Sequence, residues 1–211
     1  MSGVVGTAFI ISAPSGAGKT SLVRALLEAE SGLELSTSHT TRQPRPGEVD
    51  GVHYHFVERD AFEALIKADD MLEYANVFGN LYGTSRAFVT ERLQAGADVI
   101  LEIDWQGAQI ARDRLDGAVS IMIAPPSLDA LRARLVARAQ DSDEVVATRL
   151  AAASTELSHF AEFDYLVIND DFETARNELR AIVAAQRLKV PRQQQRHAGL
   201  LASMIDGSIP S

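Results

Sequence analysis

Ala13-Pro14-Ser15-Gly16-Ala17-Gly18-Lys19-Thr20 is the stretch that decides how this chain folds. It follows an apolar run, Ala8-Phe9-Ile10-Ile11, and leads into Leu22-Val23-Arg24-Ala25-Leu26-Leu27, so it joins a predicted strand to a predicted helix. Glycines at such a junction let the backbone curl until successive N–H groups point at one anion, and the helix adds the partial positive charge of its N-terminus. That is the makeup of a phosphate-binding loop, in which Lys19 reaches the β- and γ-phosphates of a nucleotide and the Thr20 hydroxyl holds the nucleotide's Mg²⁺. Ala13, Pro14, Ser15, Gly16, Ala17, Gly18, Lys19 and Thr20 are therefore the predicted triphosphate-binding set. Ala13 replaces the first glycine of the strict pattern, which demands ordinary backbone angles at that position; the cradle itself runs from Ser15 to Thr20.

Around this loop, 211 residues with 46% hydrophobic content suffice for one sizeable core and a small inserted lobe. The 20 basic and 29 acidic side chains leave a formal charge of −9, which repels polyanions and argues against nucleic acid as a partner. Any bound phosphate must be met by local positive charge. Cysteine is absent, which excludes disulfides and thiolate metal sites and is compatible with a reducing cytosol. No apolar segment approaches the length of a membrane span and the first residues lack a signal-peptide pattern, so a soluble, cytoplasmic protein with no membrane partner is expected.

Along the chain, Ser36 to Gly51 is rich in Thr, Arg, Pro and Gly and reads as a shaped, charged loop. Val52-His53-Tyr54-His55-Phe56-Val57 alternates like a strand, Arg59 to Ala68 has helical spacing, and Met71 to Phe78 reads as another strand. Strands this closely spaced predict a small, mostly β lobe inserted into a βα rhythm. The rhythm resumes with helix Arg86 to Gln94, strand Asp98 to Ile103, helix Gln106 to Arg114 and strand Val119 to Ile123. Leu128 to Leu157 is helical and arginine-rich, broken near Asp141-Ser142-Asp143, where Ser142 is a candidate cap. A last strand, Tyr165 to Ile168, and a last helix, Asp171 to Leu188, precede a stretch beyond Pro191 that reads as a loose tail.

A phosphate loop alone does not separate kinases from GTPases, transporters or motor ATPases; a receptor for the acceptor must decide. Arg42 and Arg45 stand three residues apart in a proline-stiffened loop, and two guanidiniums converging on one phosphate give charge and directed donors. Tyr54 and Tyr82 add candidate phenolic donors. The same arginines read alone are also compatible with solvated loop charges.

Thr41-Arg42-x-Pro44-Arg45-x-Gly47-Glu48, followed by Gly79-Asn80-x-Tyr82-Gly83-Thr84, resembles the guanylate kinases, and the match continues in order from the phosphate loop to Asn169-Asp170-Asp171. The resemblance implies an α/β fold: a P-loop core with a parallel β-sheet flanked by helices, an inserted mixed, mostly β GMP-binding lobe, and a helical lid. It implies one domain over 1–211, with the core at about 5–37, 86–126 and 160–190, the GMP lobe at about 38–85, the lid at about 127–159 and a tail at about 191–211. The implied activity is ATP-dependent phosphorylation of GMP, and of dGMP, with release of ADP, which serves purine nucleotide recycling. ATP and GMP are the implied small-molecule substrates, Mg²⁺ accompanies ATP, and a homo-oligomer is compatible with the pattern.

Carried over position by position, the resemblance puts Ser38, Arg42, Arg45, Glu48, Tyr54, Glu73, Tyr82, Thr84 and Asp104 around GMP. Guanine presents donors at N1 and N2, which the Glu73 carboxylate accepts, while Ser38 or Thr84 hydroxyls donate to O6 or N7; adenine inverts the pattern. Val99-Ile100-Leu101-Glu102-Ile103-Asp104 has the form of a Walker B strand, with Glu102 where the family usually has Asp, so the site acid falls to Asp104. Lys19 and the lid arginines Arg134, Arg138 and Arg149 form the implied catalytic set, and Asn169 is implied on the adenine side of ATP. Ala139 stands where the family often has glycine after the second lid arginine, Trp105 reads as packing, and the five histidines read as structural. A competing reading is a noncatalytic module that binds phosphorylated protein segments through the same arginines; intact Lys19 and Thr20 argue against it.

Overall fold

Apolar runs without a polar face need cover on both sides, and here they lie in a parallel sheet sandwiched by helices. The computed structural model describes residues 5–77, 79–137 and 143–206. In chain order its elements are β1 (Ala8–Ser12), α1 (Lys19–Ala29), β2 (Leu33–Leu35), β3 (His39–Thr40), β4 (His55–Phe56), α2 (Arg59–Lys67), β5 (Met71–Val77), β6 (Asn80–Ser85), α3 (Arg86–Gln94), β7 (Asp98–Glu102), α4 (Trp105–Arg114), β8 (Val119–Ala124), α5 (Leu128–Ala137), α6 (Asp143–Ser158), β9 (Tyr165–Ile168), α7 (Phe172–Arg187), α8 (Val190–Arg196) and α9 (Ala198–Asp206). Strands β2-β7-β1-β8-β9 form one five-stranded sheet, every neighbouring pair parallel.

The two-residue period of a strand splits the core in two. Phe9 and Ile11 of β1 join Ile100, Ile121 and Ile123 against Leu22, Val23 and Leu26 of α1 and Leu179 and Val183 of α7. Ile10, with Val99 and Leu101, faces the other way onto Val89 of α3 and Ala108 and Ala111 of α4. Strands β1 and β7 run in register from Ala8 opposite Val99 to Ile11 opposite Glu102, so the loop after β1 and the acids after β7 emerge side by side. That is the carboxyl edge where open α/β sheets bind ligands.

A second sheet, ordered β4-β3-β6-β5, carries the inserted segment. Its main hairpin, β5 with β6, packs Met71 and Leu81 on Phe62 of α2. The strand predicted over Val52 to Val57 shrinks to His55–Phe56. Turn chemistry overrides alternation there: His53 Nδ1 accepts from the Val49 amide at 3.0 Å, Gly51 takes φ 74°, and Val52 is left exposed. Neither β2 nor β6 was predicted as a strand.

The expected loose tail is instead two short helices, α8 and α9. Pro191 sits in the first turn of α8, where its missing N–H costs nothing. Arg192 then reaches the fully buried carboxylate of Asp98 at 2.6 Å. Asp98 also accepts from Arg187 Nε at 2.8 Å and from the Thr7 amide at 2.8 Å, so one carboxylate ties the start of β7 to the residue before β1 and to α7 and α8. The predicted cap Ser142 lies outside the described residues. Removing one partner of a buried charge cluster leaves the others uncompensated, so Asp98→Ala should cost about 3–5 kcal/mol in urea unfolding. An unchanged unfolding midpoint would contradict this role.

Candidate active site

Between β1 and α1 the backbone makes a narrow turn in which the Ala17 amide bonds the Pro14 carbonyl at 3.0 Å. Gly16 and Gly18 both take positive φ, 93° and 96°, which other residues rarely adopt. Gly18 is the N-cap of α1 and offers no side chain to its first N–H groups, so these donors stay available to a ligand. Ala13 is buried in the core at ordinary angles; among the described residues Asp69 is the one non-glycine with positive φ. Lys19 Nζ donates to the Ile103 carbonyl at 3.1 Å, which carries the ammonium from α1 across to the end of β7.

Thr20 Oγ1 lies 2.5 Å from Glu102 Oε1. A hydroxyl and a carboxylate side by side at the mouth of the loop are the hard oxygen donors that suit Mg²⁺. The longer side chain of Glu102 therefore reaches the spot that the sequence reading assigned to Thr20 alone. Asp104 plays a different part, since its Oδ1 accepts from the Gly107 amide at 2.9 Å and caps α4. Among the described residues no group of three or more His, Asp or Glu is arranged to hold a metal by itself.

The acceptor-side residues converge on the second sheet. Arg42 binds Glu48 through two parallel hydrogen bonds of 2.9 Å, and its guanidinium lies 5.4 Å from the centroid of the Tyr54 ring. Glu48 also accepts from the Arg45 amide at 2.7 Å, so it braces the arginine loop from behind. Its partner Arg42 holds the Glu48 carboxyl below the usual range. Burial pushes the Tyr54 phenol up to about 12, which keeps it a donor, and Tyr82 packs edge-on against it at 5.9 Å. Ser38 is buried at the entry to β3.

Glu73 is 2% exposed and sits where β5 meets α4. Thr84 Oγ1 donates to its Oε1 at 2.5 Å, and its other oxygen is pressed against Gly107, where a Cβ would collide with it. Burial drives its carboxyl up to about 7; the Thr84 bond opposes the shift and the nearby Asp104 adds to it. The Thr84 hydroxyl is thus committed to Glu73 rather than pointed outward as a donor.

Two clefts flank this machinery. One, of about 410 Å³, is lined by Gly16, Gly18, Ser21, Arg134, Asn169 and Phe172. The other, of about 330 Å³, places Arg42, Arg45 and Tyr82 opposite Val145, Thr148 and Arg149 of α6. Arg134 and Arg149 therefore face different clefts, while Arg138 lies outside the described residues. The Asn169 side chain is turned under the phosphate loop and donates to the Ala17 carbonyl at 2.7 Å.

One residue escaped the sequence reading. Glu156, on α6, lies near enough to Lys19 and Asp104 to feel both charges, and burial pushes its carboxyl up to about 7. Its spacing of seven from Arg149 puts both on one helix face, a signal present in the sequence. His159 stacks on Trp105 with ring centroids 3.7 Å apart and bonds Glu162 at 2.5 Å, which fastens the end of α6 to α4.

Comparison with known proteins places the whole chain. Residues 5–186 match the family model described as Guanylate kinase. The guanylate kinase of Alkalilimnicola ehrlichii is 54% identical over 200 residues, covering 95% of this chain and 98% of that one. The guanylate kinase of Escherichia coli is also 54% identical, over 202 residues and the same shares of each chain. The crystal structure of guanylate kinase from Anaplasma phagocytophilum superposes with a TM-score of 0.76 at 34% identity, covering 91% of this chain and 92% of that one. Matched by that family model over residues 5–186 and 54% identical to two of the family's members over nearly its whole length, the chain belongs to the guanylate kinase family.

Proposed function

We propose that this protein transfers the γ-phosphoryl group of ATP to GMP, giving ADP and GDP, with ATP in the cleft beside the phosphate loop and GMP across the second sheet. The observation that carries the reading is the pairing of two unlike receptors: a backbone cradle for phosphates, and a second sheet that carries both an arginine-lined cleft and a buried carboxylate. In this reading residues 38–85 are the acceptor lobe, 127–159 the lid, and 5–37, 86–126 and 160–190 the core. The small volume of the arginine cleft suits one monophosphate, and its charge is what an otherwise acidic chain needs there.

A phosphate oxygen of GMP attacks the γ-phosphorus, and the bridging oxygen leaves with ADP. Little covalent work falls to the protein, so its contribution is alignment and charge neutralisation. Arg42, Arg45, Tyr54 and Tyr82 hold the GMP phosphate; Glu48 keeps Arg42 in place; Lys19 and the amides of Gly16 to Thr20 hold the donor phosphates. Arg134 and Arg149 approach from the two helices of the lid, and Arg138 lies between them in the sequence. Thr20 and Glu102 would hold Mg²⁺, which supplies further neutralisation of the β- and γ-phosphates. Closing the lid excludes water and so suppresses hydrolysis of ATP.

Glu73 reads the base. As a carboxylate it accepts both N1–H and N2–H of guanine, whereas adenine offers a lone pair at N1 and no amino group at position 2. A buried acceptor left facing a lone pair is costly, so discrimination is strong.

Steady-state transfer from ATP to GMP, dGMP, AMP, CMP and UMP should favour guanine; a preference for another base would overturn the assignment. Lys19→Ala should lower kcat by about 10²–10³-fold, while Arg42→Ala should chiefly raise the KM for GMP. Normal turnover by Lys19→Ala in an ADP-release assay would refute the donor site as drawn here.

The titration of Glu73 gives a pH signature. Raised to about 7, it is mostly ionised at pH 8 and holds its proton at pH 6, with Asp104 raising and Lys19 lowering the value. Guanine needs the ionised form, so acidification costs affinity, and one pH unit below the pKa costs roughly tenfold. Glu73→Gln should lower kcat/KM for GMP by at least about 10²-fold at pH 8, and that gap should narrow by about tenfold at pH 6. The GMP phosphate titrates equally with both proteins and cancels in the ratio. A pH-independent gap would show that Glu73 is ionised throughout.

A further inference from the structure

Asn169 follows the last strand of the parallel sheet, with its own amide bonded to the Ala124 carbonyl at 2.8 Å. Its side chain is 5% exposed and donates to the Ala17 carbonyl at 2.7 Å, across 152 positions of sequence. A Cβ added at Gly18 would overlap the same amide nitrogen. The main-chain carbonyl of Asn169 accepts from Arg134 Nη2 at 2.9 Å. The other arm of that guanidinium, Nη1, is buried and has no hydrogen-bond partner among the described residues.

Peptide planarity converts the first contact into a statement about the loop. In the plane between residues 17 and 18, the Ala17 carbonyl and the Gly18 N–H point in opposite directions. A donor that pins the carbonyl toward Asn169 therefore aims the Gly18 N–H the other way, toward the centre of the cradle. The contact needs a donor, which the side-chain amide supplies; a carboxylate would face the carbonyl as acceptor against acceptor. The absent side chain at Gly18 is what lets the amide come close enough. The second contact fixes Arg134 to the same residue, so loop and lid arginine share one anchor.

We propose that Asn169 is a positioning residue for the donor phosphates and not a reader of the donor base: its side chain sets the 17–18 peptide and its carbonyl sets Arg134. The proposal rests on the donor-site reading above, and it has a consequence that base recognition lacks. Disturbing Asn169 weakens every phosphate donor alike, whatever base it carries.

The test compares wild type with Asn169→Asp, which keeps size and reverses the donor, and with Asn169→Ala, which removes the latch without adding an acceptor. Each is assayed for transfer to GMP from ATP and from ITP, which lacks the 6-amino group, and for inhibition by inorganic tripolyphosphate, which has no base. Asn169→Asp should lose on the order of 10²-fold in kcat/KM with ATP and ITP equally, and tripolyphosphate should inhibit it correspondingly less. The KM for GMP should stay unchanged, and Asn169→Ala should show the same base-independent pattern to a smaller degree. A loss confined to ATP, with ITP and tripolyphosphate unaffected, would overturn the proposal in favour of base reading; no loss in any arm would overturn it too. A wild-type enzyme that fails to phosphorylate GMP would sink the proposed function instead, so the two failures are distinguishable. Unchanged thermal melting of either variant assigns its losses to the site.

Discussion

A turn that aims its own N–H groups at an anion has no space for side chains on its walls, and much of this structure follows from that constraint. Gly16 and Gly18 adopt angles closed to most residues, and the space each lacks a side chain to fill is taken by something else. A Cβ on Gly16 would come 2.9 Å from Leu135 of α5, and one on Gly18 would strike Asn169. The loop is therefore not a free ribbon. It is held between α5 and the residue that follows β9, so its shape depends on elements more than a hundred residues away.

Charge is organised in the same manner. An acidic chain that must gather two polyanions concentrates cations locally and holds them with carboxylates placed behind them. Arg42 meets Glu48 through a bidentate pair that lies mostly out of solvent, which orients the guanidinium before any ligand arrives. Preorganisation of this kind reduces the ordering required at binding. Glu73 shows the opposite arrangement: a carboxylate whose burial outweighs both the Thr84 hydrogen bond and the pull of the nearby Lys19, so that it is poised near neutrality.

The regular parts of the fold were legible because their signals are local. Long apolar runs gave β1, β7 and β8, and helical spacing gave α3 with the same ends that the structure has. What was not legible depends on turns and on distance. The β4 segment alternates like a strand, yet a histidine ring and an Asp-Gly turn claim its first half. The three residues of β2 are too few to show a period. In the site, residue types were readable but their orientations were not: Thr84 spends its hydroxyl on Glu73, Asp104 caps a helix, and Glu102 takes the place beside Thr20. The Thr84 and Glu102 contacts are made across strands and elements, whereas the Asp104 cap is local and shows only once the start of α4 is fixed. Contact across elements also decides α8, whose position is fixed by a carboxylate on β7.

That carboxylate, Asp98, has a mechanical consequence. It joins residue 7 to residue 192 at the start of β7, whereas the phosphate loop and the acids that serve it leave the sheet at the other end of the strands. A pull on residue 7 or on residue 192 is therefore shared with the parallel sheet through Asp98, at the end of the strands opposite the phosphate loop.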